Sequence, residues 1–155
     1  MLDVSRHFFT KQEVKRFIDL MAEYKYNVFH WHLSDDQGWR VEIKSLPRLT
    51  DVGAWRAPRV GNWWEREPQS VTDSLTYGGF YTQDDIREVV EYARERFITV
   101  VPEIDVPGHS MALLTAYPEI SCTGGPFHVN VGNTFYTKEE NSLCVGKEKT
   151  FAILD

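Results

Sequence analysis

The sequence predicts a parallel α/β fold, and three observations carry that reading. Segments alternate strand, helix, strand, helix, strand, helix along the 155 residues, the order of a parallel sheet with right-handed crossovers. The two longest polar loops both follow strands, so their chemistry gathers at the strands' carboxyl ends. No GxGxxG or GxxxxGK[ST] run follows a strand, so nucleotide-binding versions of the class lose weight. A (β/α)₈ TIM barrel keeps its active site at that end and takes about 250 residues. The chain is therefore expected to hold about the first three βα units, an incomplete barrel in one domain, 1–155.

Leu2 to Val4 reads as the first strand. Thr10-x-x-Glu13 is a capping box opening the first helix, because the hydroxyl takes the N3 amide and the Glu returns to the cap amide. Val14, Phe17, Ile18 and Met21 follow on one apolar face. Tyr26 to Leu33 is the second strand, with Val28 and Phe29 supplying β propensity. Residues 34–80 form a long stretch rich in Trp, Pro and Gly, expected to be a functional loop with short elements of its own. Thr82 caps the second helix, and Asp84 and Asp85 sit in its first turn near the positive dipole end. Ile86, Val89, Val90, Ala93 and Phe97 mark its expected buried face. Ile98 to Ile104 is nearly all apolar, the pattern of a parallel strand covered on both faces. Residues 105–145 form a second long loop with a short helix near Met111 to Tyr117, and a third helix starts near Lys147.

Composition excludes several function classes. Hydrophobic residues at 42% and charged residues at 26% match an ordinary globular protein and rule out a disordered, collagen-like or coiled-coil chain. No apolar run approaches the roughly 18 residues of a membrane span. The net charge is −6, without a basic stripe to neutralise phosphates, so nucleic acid is not an expected partner. Five Trp and 14% aromatic residues are high, and flat ring faces stack on pyranoses. No signal peptide is visible at Met1-Leu2-Asp3-Val4. The chain opens inside a strand-like segment and stops within the helical pattern Phe151-Ala152-Ile153-Leu154-Asp155, so it is expected to be a piece of something larger. Cys122 and Cys144 stand in an irregular stretch without metal-finger spacing. They are either two free thiols or a disulfide worth about 3 kcal/mol, and the disulfide would imply an oxidising compartment.

Each strand end carries a polar cluster: Asp3-Val4-Ser5-Arg6-His7, then His30-Trp31-His32-Leu33-Ser34-Asp35-Asp36-Gln37, then Glu103-Ile104-Asp105-Val106-Pro107-Gly108-His109. Singly, each has a plain structural explanation: Arg6 as a surface ion-pair partner, Asp35 and Asp36 as loop caps, His109 as a core histidine. Three at equivalent places are hard to explain by packing. Two chemistries fit. His30 and His32 face the same side of a strand, and with Asp35 and His109 they would suit a divalent metal in a metal-dependent hydrolase. Alternatively Arg6 and a carboxylate would clamp sugar hydroxyls while His tunes a catalytic acid. The Trp content favours sugars.

Asp3-Val4-Ser5-Arg6-His7-Phe8, Asn27-Val28-Phe29-His30-Trp31-His32-Leu33-Ser34-Asp35-Asp36-Gln37-Gly38-Trp39-Arg40 and Pro102-Glu103-Ile104-Asp105-Val106-Pro107-Gly108-His109, in this order, closely resemble the family 20 glycoside hydrolases, the β-N-acetylhexosaminidases. Tyr117-Pro118-Glu119 with Cys122-Thr123-Gly124-Gly125 is similar to the bacterial branch. The resemblance spans essentially the whole chain. It implies a (β/α)₈ catalytic domain that removes terminal N-acetylglucosamine or N-acetylgalactosamine from glycoconjugates or chito-oligosaccharides, with no metal or organic cofactor. Catalysis in that family is substrate-assisted: the sugar's acetamido oxygen attacks the anomeric carbon, an Asp orients the acetamide and the adjacent Glu is the acid. By match of motif, Arg6 would bind hydroxyls of the non-reducing sugar. Asp35 and His109 would support the acid's proton transfer, and His32, Glu103 and Asp105 would line the site. The family's Gly-Gly-Asp-Glu run is absent: neither Gly78-Gly79 nor Gly124-Gly125 precedes Asp-Glu, and no Asp-Glu dipeptide occurs. The chain alone is accordingly expected to be inactive, or to be a non-catalytic sugar-binding piece, with the remainder of the barrel as its partner. The parent enzyme is expected in the periplasm or outside the cell.

Overall fold

The computed structural model describes residues 1–59, 73–132 and 141–155. In chain order its elements are β1 (Leu2–Asp3), α1 (Lys11–Glu23), β2 (Val28–His32), β3 (Ser34–Asp35), β4 (Gly38–Trp39), α2 (Arg48–Asp51) and β5 (Trp55–Arg56). Then come β6 (Tyr77–Gly78), α3 (Gln83–Arg94), β7 (Thr99–Glu103), α4 (Met111–Ala116), a 3₁₀ turn at Pro118–Ile120 and α5 (Glu148–Leu154). β1, β2 and β7 form a parallel sheet in the order β1-β2-β7. Asp3 pairs with His32, and His32 with Glu103, across the three strands. This is a run of βα units in an open sheet, the expected partial barrel, with no closed barrel among the described residues.

Both long helices start as their sequences dictate. Thr10 and Glu13 exchange capping bonds at α1, and Thr82 and Asp85 do the same at α3; each cap is worth about 1 kcal/mol. Both helices also stop alike. Lys25 and Phe97 take left-handed φ values of 61° and 58°. The next amides, of Tyr26 and Ile98, reach back to the Met21 and Ala93 carbonyls, which satisfies carbonyls a helix end leaves open.

Val14, Ile18 and Met21 of α1 and Val89 and Ala93 of α3 pack on Phe29 and Trp31 of the sheet. Each fully buried aliphatic side chain in such a layer contributes about 1.5–3 kcal/mol. Phe17 and Ile86 are only partly buried against this core. Val90 and Phe97 are not in it, at 43% and 90% exposed. Phe97 lies beyond the end of α3 at the left-handed turn, where helical periodicity no longer says which way a side chain points. β7 is also not covered on both faces. Val100 packs towards the helices, whereas Val101 and Ile104 stand exposed.

The stretch after β2 contains short elements, as expected: the antiparallel pairs β3–β4 and β5–β6, and α2. Its part at 60–72 lies outside the described residues, as does 133–140 of the second loop. A second core gathers Trp39, Leu49, Ala112, Leu113, Leu114, Ile120, Val129 and Leu143 beneath these loops. Cys122 and Cys144 are disulfide-bonded.

Arg40 ties the loops to the first strand. It is fully buried, and its guanidinium donates to the carbonyls of Val4, Ser5, Gln37, Ala54 and Gly79. Gly38 has to be glycine beside it, because a Cβ there would stand 2.2 Å from an Arg40 nitrogen.

Candidate active site

The site is built at the carboxyl ends of β1, β2 and β7. Leu33 donates its amide to the Glu103 carbonyl at 3.0 Å, and Asp105 donates its amide to Ser34 Oγ at 2.9 Å. These bonds hold the ends of β2 and β7 together just where the chain turns into the β3–β4 hairpin. The hairpin register sets Asp35 opposite Gly38, and its tight turn, Asp36-Gln37, places two neighbouring carboxylates in different surroundings.

Asp35 is the centre of the cluster. It is almost wholly buried, and four groups meet its carboxylate. Oδ1 accepts the Asp36 amide at 2.7 Å and faces His109 Nδ1 at 3.1 Å. Oδ2 faces His32 Nε2 at 2.9 Å and forms a salt bridge with Arg6 Nη2 at 2.7 Å. Burial alone would push this carboxyl up. The His32 hydrogen bond, the Asp36 amide and the charges of Arg6 and His109 outweigh it and hold Asp35 below the usual carboxylate range.

Arg6 is fixed from the other side by Asp3, whose Oδ2 accepts from Nη1 at 2.8 Å and whose Oδ1 accepts the Ser5 and Arg6 amides. His109 adopts φ 52° after Pro107-Gly108 and keeps a half-exposed ring. Nδ1 is turned to Asp35, and Nε2 makes no hydrogen bond or ion pair among the described residues.

Asp36 does a different job. Its carboxylate accepts the Met111 amide at 3.1 Å and contacts the Asn141 amide group, so it caps α4, whose own N-cap residue, Ser110, makes no side-chain capping bond. Burial pushes this carboxyl up. Of the two aspartates one is therefore a cap and the other the site carboxylate.

His30 and His32 do share a face, and Glu103 stands between them: its Oε2 pairs with His30 Nε2 and lies 2.9 Å from His32 Nδ1. The four ligands considered for a metal do not gather. Donor atoms of His32, Asp35 and Asp105 lie within 4.8 Å of one another, as do those of Asp35, Asp36 and His109. No such group among the described residues contains both His30 and His32. His32 also meets carboxylates at both ring nitrogens, which compete with a metal for its lone pair. Of the described Trp rings, Trp31 and Trp39 are buried in the two cores, and half-buried Trp55 donates its indole N–H to Thr50. Trp63 and Trp64 lie outside the described residues.

Parallel βα units with a charged cluster at the strands' carboxyl ends are the layout of an α/β-barrel segment. The chain matches the family model for the glycosyl hydrolase family 20 catalytic domain over residues 1–155. A beta-hexosaminidase of Porphyromonas gingivalis is 44% identical over 99% of this chain and 18% of its own length. Another, from Vibrio furnissii, is 59% identical over 77% of this chain and 19% of its own length. Among solved structures, the GH20 beta-N-acetylhexosaminidase from Streptomyces coelicolor A3(2) is 44% identical with a TM-score of 0.81, covering 99% of this chain and 28% of that one. A mutant Streptomyces plicatus beta-hexosaminidase in complex with product (GlcNAc) is 45% identical with the same TM-score of 0.81, covering 99% of this chain and 27% of that one. The chain belongs to glycosyl hydrolase family 20. It spans less than a fifth of the length of the two curated relatives.

Proposed function

We propose that this segment supplies the sugar clamp and the acid-supporting residues of a β-N-acetylhexosaminidase, which removes terminal N-acetylglucosamine or N-acetylgalactosamine from glycoconjugates or chito-oligosaccharides. The observation that carries the reading is that one buried carboxylate, Asp35, joins Arg6 to His109. Arg6 donates to hydroxyls of the non-reducing sugar from a guanidinium whose direction Asp3 and Asp35 set. His109, turned by Asp35, lends its other ring nitrogen to the catalytic acid.

The reaction then follows the substrate-assisted course. The acetamido oxygen bonds to the anomeric carbon as the glycosidic C–O bond breaks, and the leaving oxygen takes the acid's proton. Water, giving a proton back to the same group, displaces the acetamido oxygen with net retention. The 155 residues contain no Asp-Glu dipeptide, so the acid and the residue orienting the acetamide come from elsewhere in the catalytic domain. The disulfide between Cys122 and Cys144 supports an oxidising compartment, the periplasm or the exterior.

The test is a hybrid enzyme in which this chain replaces the matching segment of the Streptomyces plicatus beta-hexosaminidase, 27% of that protein. Release of 4-nitrophenol from the aryl N-acetylglucosaminide is followed for the hybrid and for the isolated chain. The hybrid turns over and the chain does not. A folded hybrid without turnover overturns the reading.

A further inference from the structure

His32 has no assigned part in the chemistry above, yet it is more deeply set than Arg6 or His109, at 4% exposed. It sits on β2 with Asp3 beside it on β1 and Glu103 beside it on β7. One ring nitrogen meets Asp35 Oδ2 at 2.9 Å and the other meets Glu103 Oε2 at 2.9 Å. We propose that His32 is a positioning residue for hexosaminide hydrolysis: clamped between Asp35 and Glu103, it fixes the Asp35 carboxylate so that Oδ1 presents to His109. The proposal rests on the hexosaminidase reading.

The geometry favours a doubly protonated ring. A neutral imidazole has one N–H and one lone pair, and a lone pair facing an ionised carboxylate is repelled. With Asp35 on one side and Glu103 on the other, each nitrogen has a carboxylate to accept its proton, and the only donor that competes for a lone pair is Arg6 at Nε2. The remaining charged and titratable groups around it agree. Asp3 adds negative charge from β1, and Asp105 adds it from the end of β7. Arg6 opposes it, with Nη1 3.1 Å from Nε2, so the two cations lie side by side and share an Asp35 oxygen. His30 reaches Glu103 from the far side. The Asp35 hydrogen bond above all, with Glu103 against the cost of burial, holds the imidazolium up to about 9.

The consequence for Asp35 is directional. With Arg6 and His32 both on Oδ2, that oxygen is anchored by two positive donors. Oδ1 is left to the Asp36 amide and to His109. Without His32 the carboxylate keeps Arg6 on Oδ2 and the Asp36 amide on Oδ1, but its terminal torsion is soft and the second donor that squares Oδ1 to His109 is gone. Loss of His32 therefore misdirects His109 without removing any group that touches substrate.

The test compares His32→Gln and Glu103→Gln in the hybrid enzyme, per folded active site. Gln can donate to Asp35 but carries no charge and cannot reach both carboxylates. His32→Gln lowers kcat about 10²-fold, the scale of a small misplacement of a catalytic group, with little change in KM. The loss is larger for chitobiose than for the 4-nitrophenyl glycoside, because only the poor leaving group depends fully on the acid. Glu103→Gln shows the same pattern more weakly. An unchanged kcat, or equal losses on both substrates, overturns the proposal. Histidine NMR of the hybrid supplies an independent reading, the His32 signal being identified by its loss in His32→Gln. The ring stays cationic through pH 8. A neutral ring at pH 7 overturns the clamp whether or not the hybrid is active, whereas a folded, inactive hybrid with a cationic His32 overturns only the hexosaminidase reading.

Discussion

Asp35 Oδ1 lies 3.1 Å from His109 Nδ1, across 74 residues of chain. The contact joins the loop after the second parallel strand to the loop after the third, and so couples the sugar clamp to the ring that serves the acid. His109→Ala in the hybrid removes that ring but leaves Arg6, Asp3 and His32 in place. It lowers kcat by at most about 10²-fold, the lower end of what general acid catalysis supplies, and moves the limb of the pH–rate profile that reports the acid. A kcat profile superimposable on the parent's would show that His109 plays no part in proton transfer.

Arg6→Ala weakens binding. A charge-assisted bond to hydroxyls is worth about 1.5–3 kcal/mol, or roughly 10- to 150-fold in kcat/KM for the aryl glycoside. Arg6→Lys recovers only part of the loss, since an ammonium cannot hold Asp3, Asp35 and a sugar in one planar fork. Wild-type kcat/KM in Arg6→Ala would remove the clamp from the assignment.

Stability falls between near-neutral and alkaline pH. The His32 ring is raised from 6.5 to about 9, so its contribution is fully present below 6.5 and is lost as pH rises through about 9. In acid the signs are mixed. Asp35, lowered, contributes above 3.8 and loses that contribution as pH falls, while Asp36 is raised and opposes it. The alkaline window is therefore the clean one. Melting temperatures of the hybrid decline from pH 6.5 to 9, and His32→Gln flattens that slope. Parallel slopes for the two proteins would contradict the clamp.

Reduction of the Cys122–Cys144 bond, which closes a separation of 22 residues, removes about 3 kcal/mol by loop entropy. Melting of the hybrid with and without reductant measures it, and Cys122→Ser reproduces the reduced value. No change on reduction would mean that the loop is held by its other contacts.

The isolated 155-residue chain associates. Among the described residues its parallel sheet has open edges at β1 and β7, Val28, Val101 and Ile104 are exposed on or beside the strands, and open edges and apolar patches recruit partners. Sedimentation decides the matter: a monodisperse monomer with one reversible unfolding transition would show that the described units are self-sufficient.

Much of this was legible in the residues. Thr10-x-x-Glu13 marked a helix start because the capping box is local, and local hydrogen bonds need no partner from afar. The three strand-end clusters converged because parallel βα units bring their carboxyl ends to one side. Less was legible where distant segments meet. Asp35 and Asp36 are identical neighbours, and only the arrival of Met111 and Asn141 beside one of them makes it a cap. Lys25 and Phe97 end their helices in a conformation usually signalled by glycine, so neither stop was visible in residue type. Glu103 between two histidines depends on strand register, which hydrophobic alternation specifies only within one strand.

Arg40 reads only main-chain oxygens, drawn from residues 4, 5, 37, 54 and 79. Every amino acid presents such an oxygen, so what limits those five places is their own packing, with Val4 and Ala54 buried and Gly79 at φ 151° against Phe8, and not the hub. The guanidinium is not interchangeable, since no other side chain offers five donors in a rigid plane. One cation thus keeps four loop segments in common alignment through backbone contacts alone. In a library randomising positions 4, 5, 37, 54 and 79 beside position 40, losses at the five carbonyl acceptors would follow the local packing of each residue, whereas every change at the arginine would loosen all four segments' contacts at once.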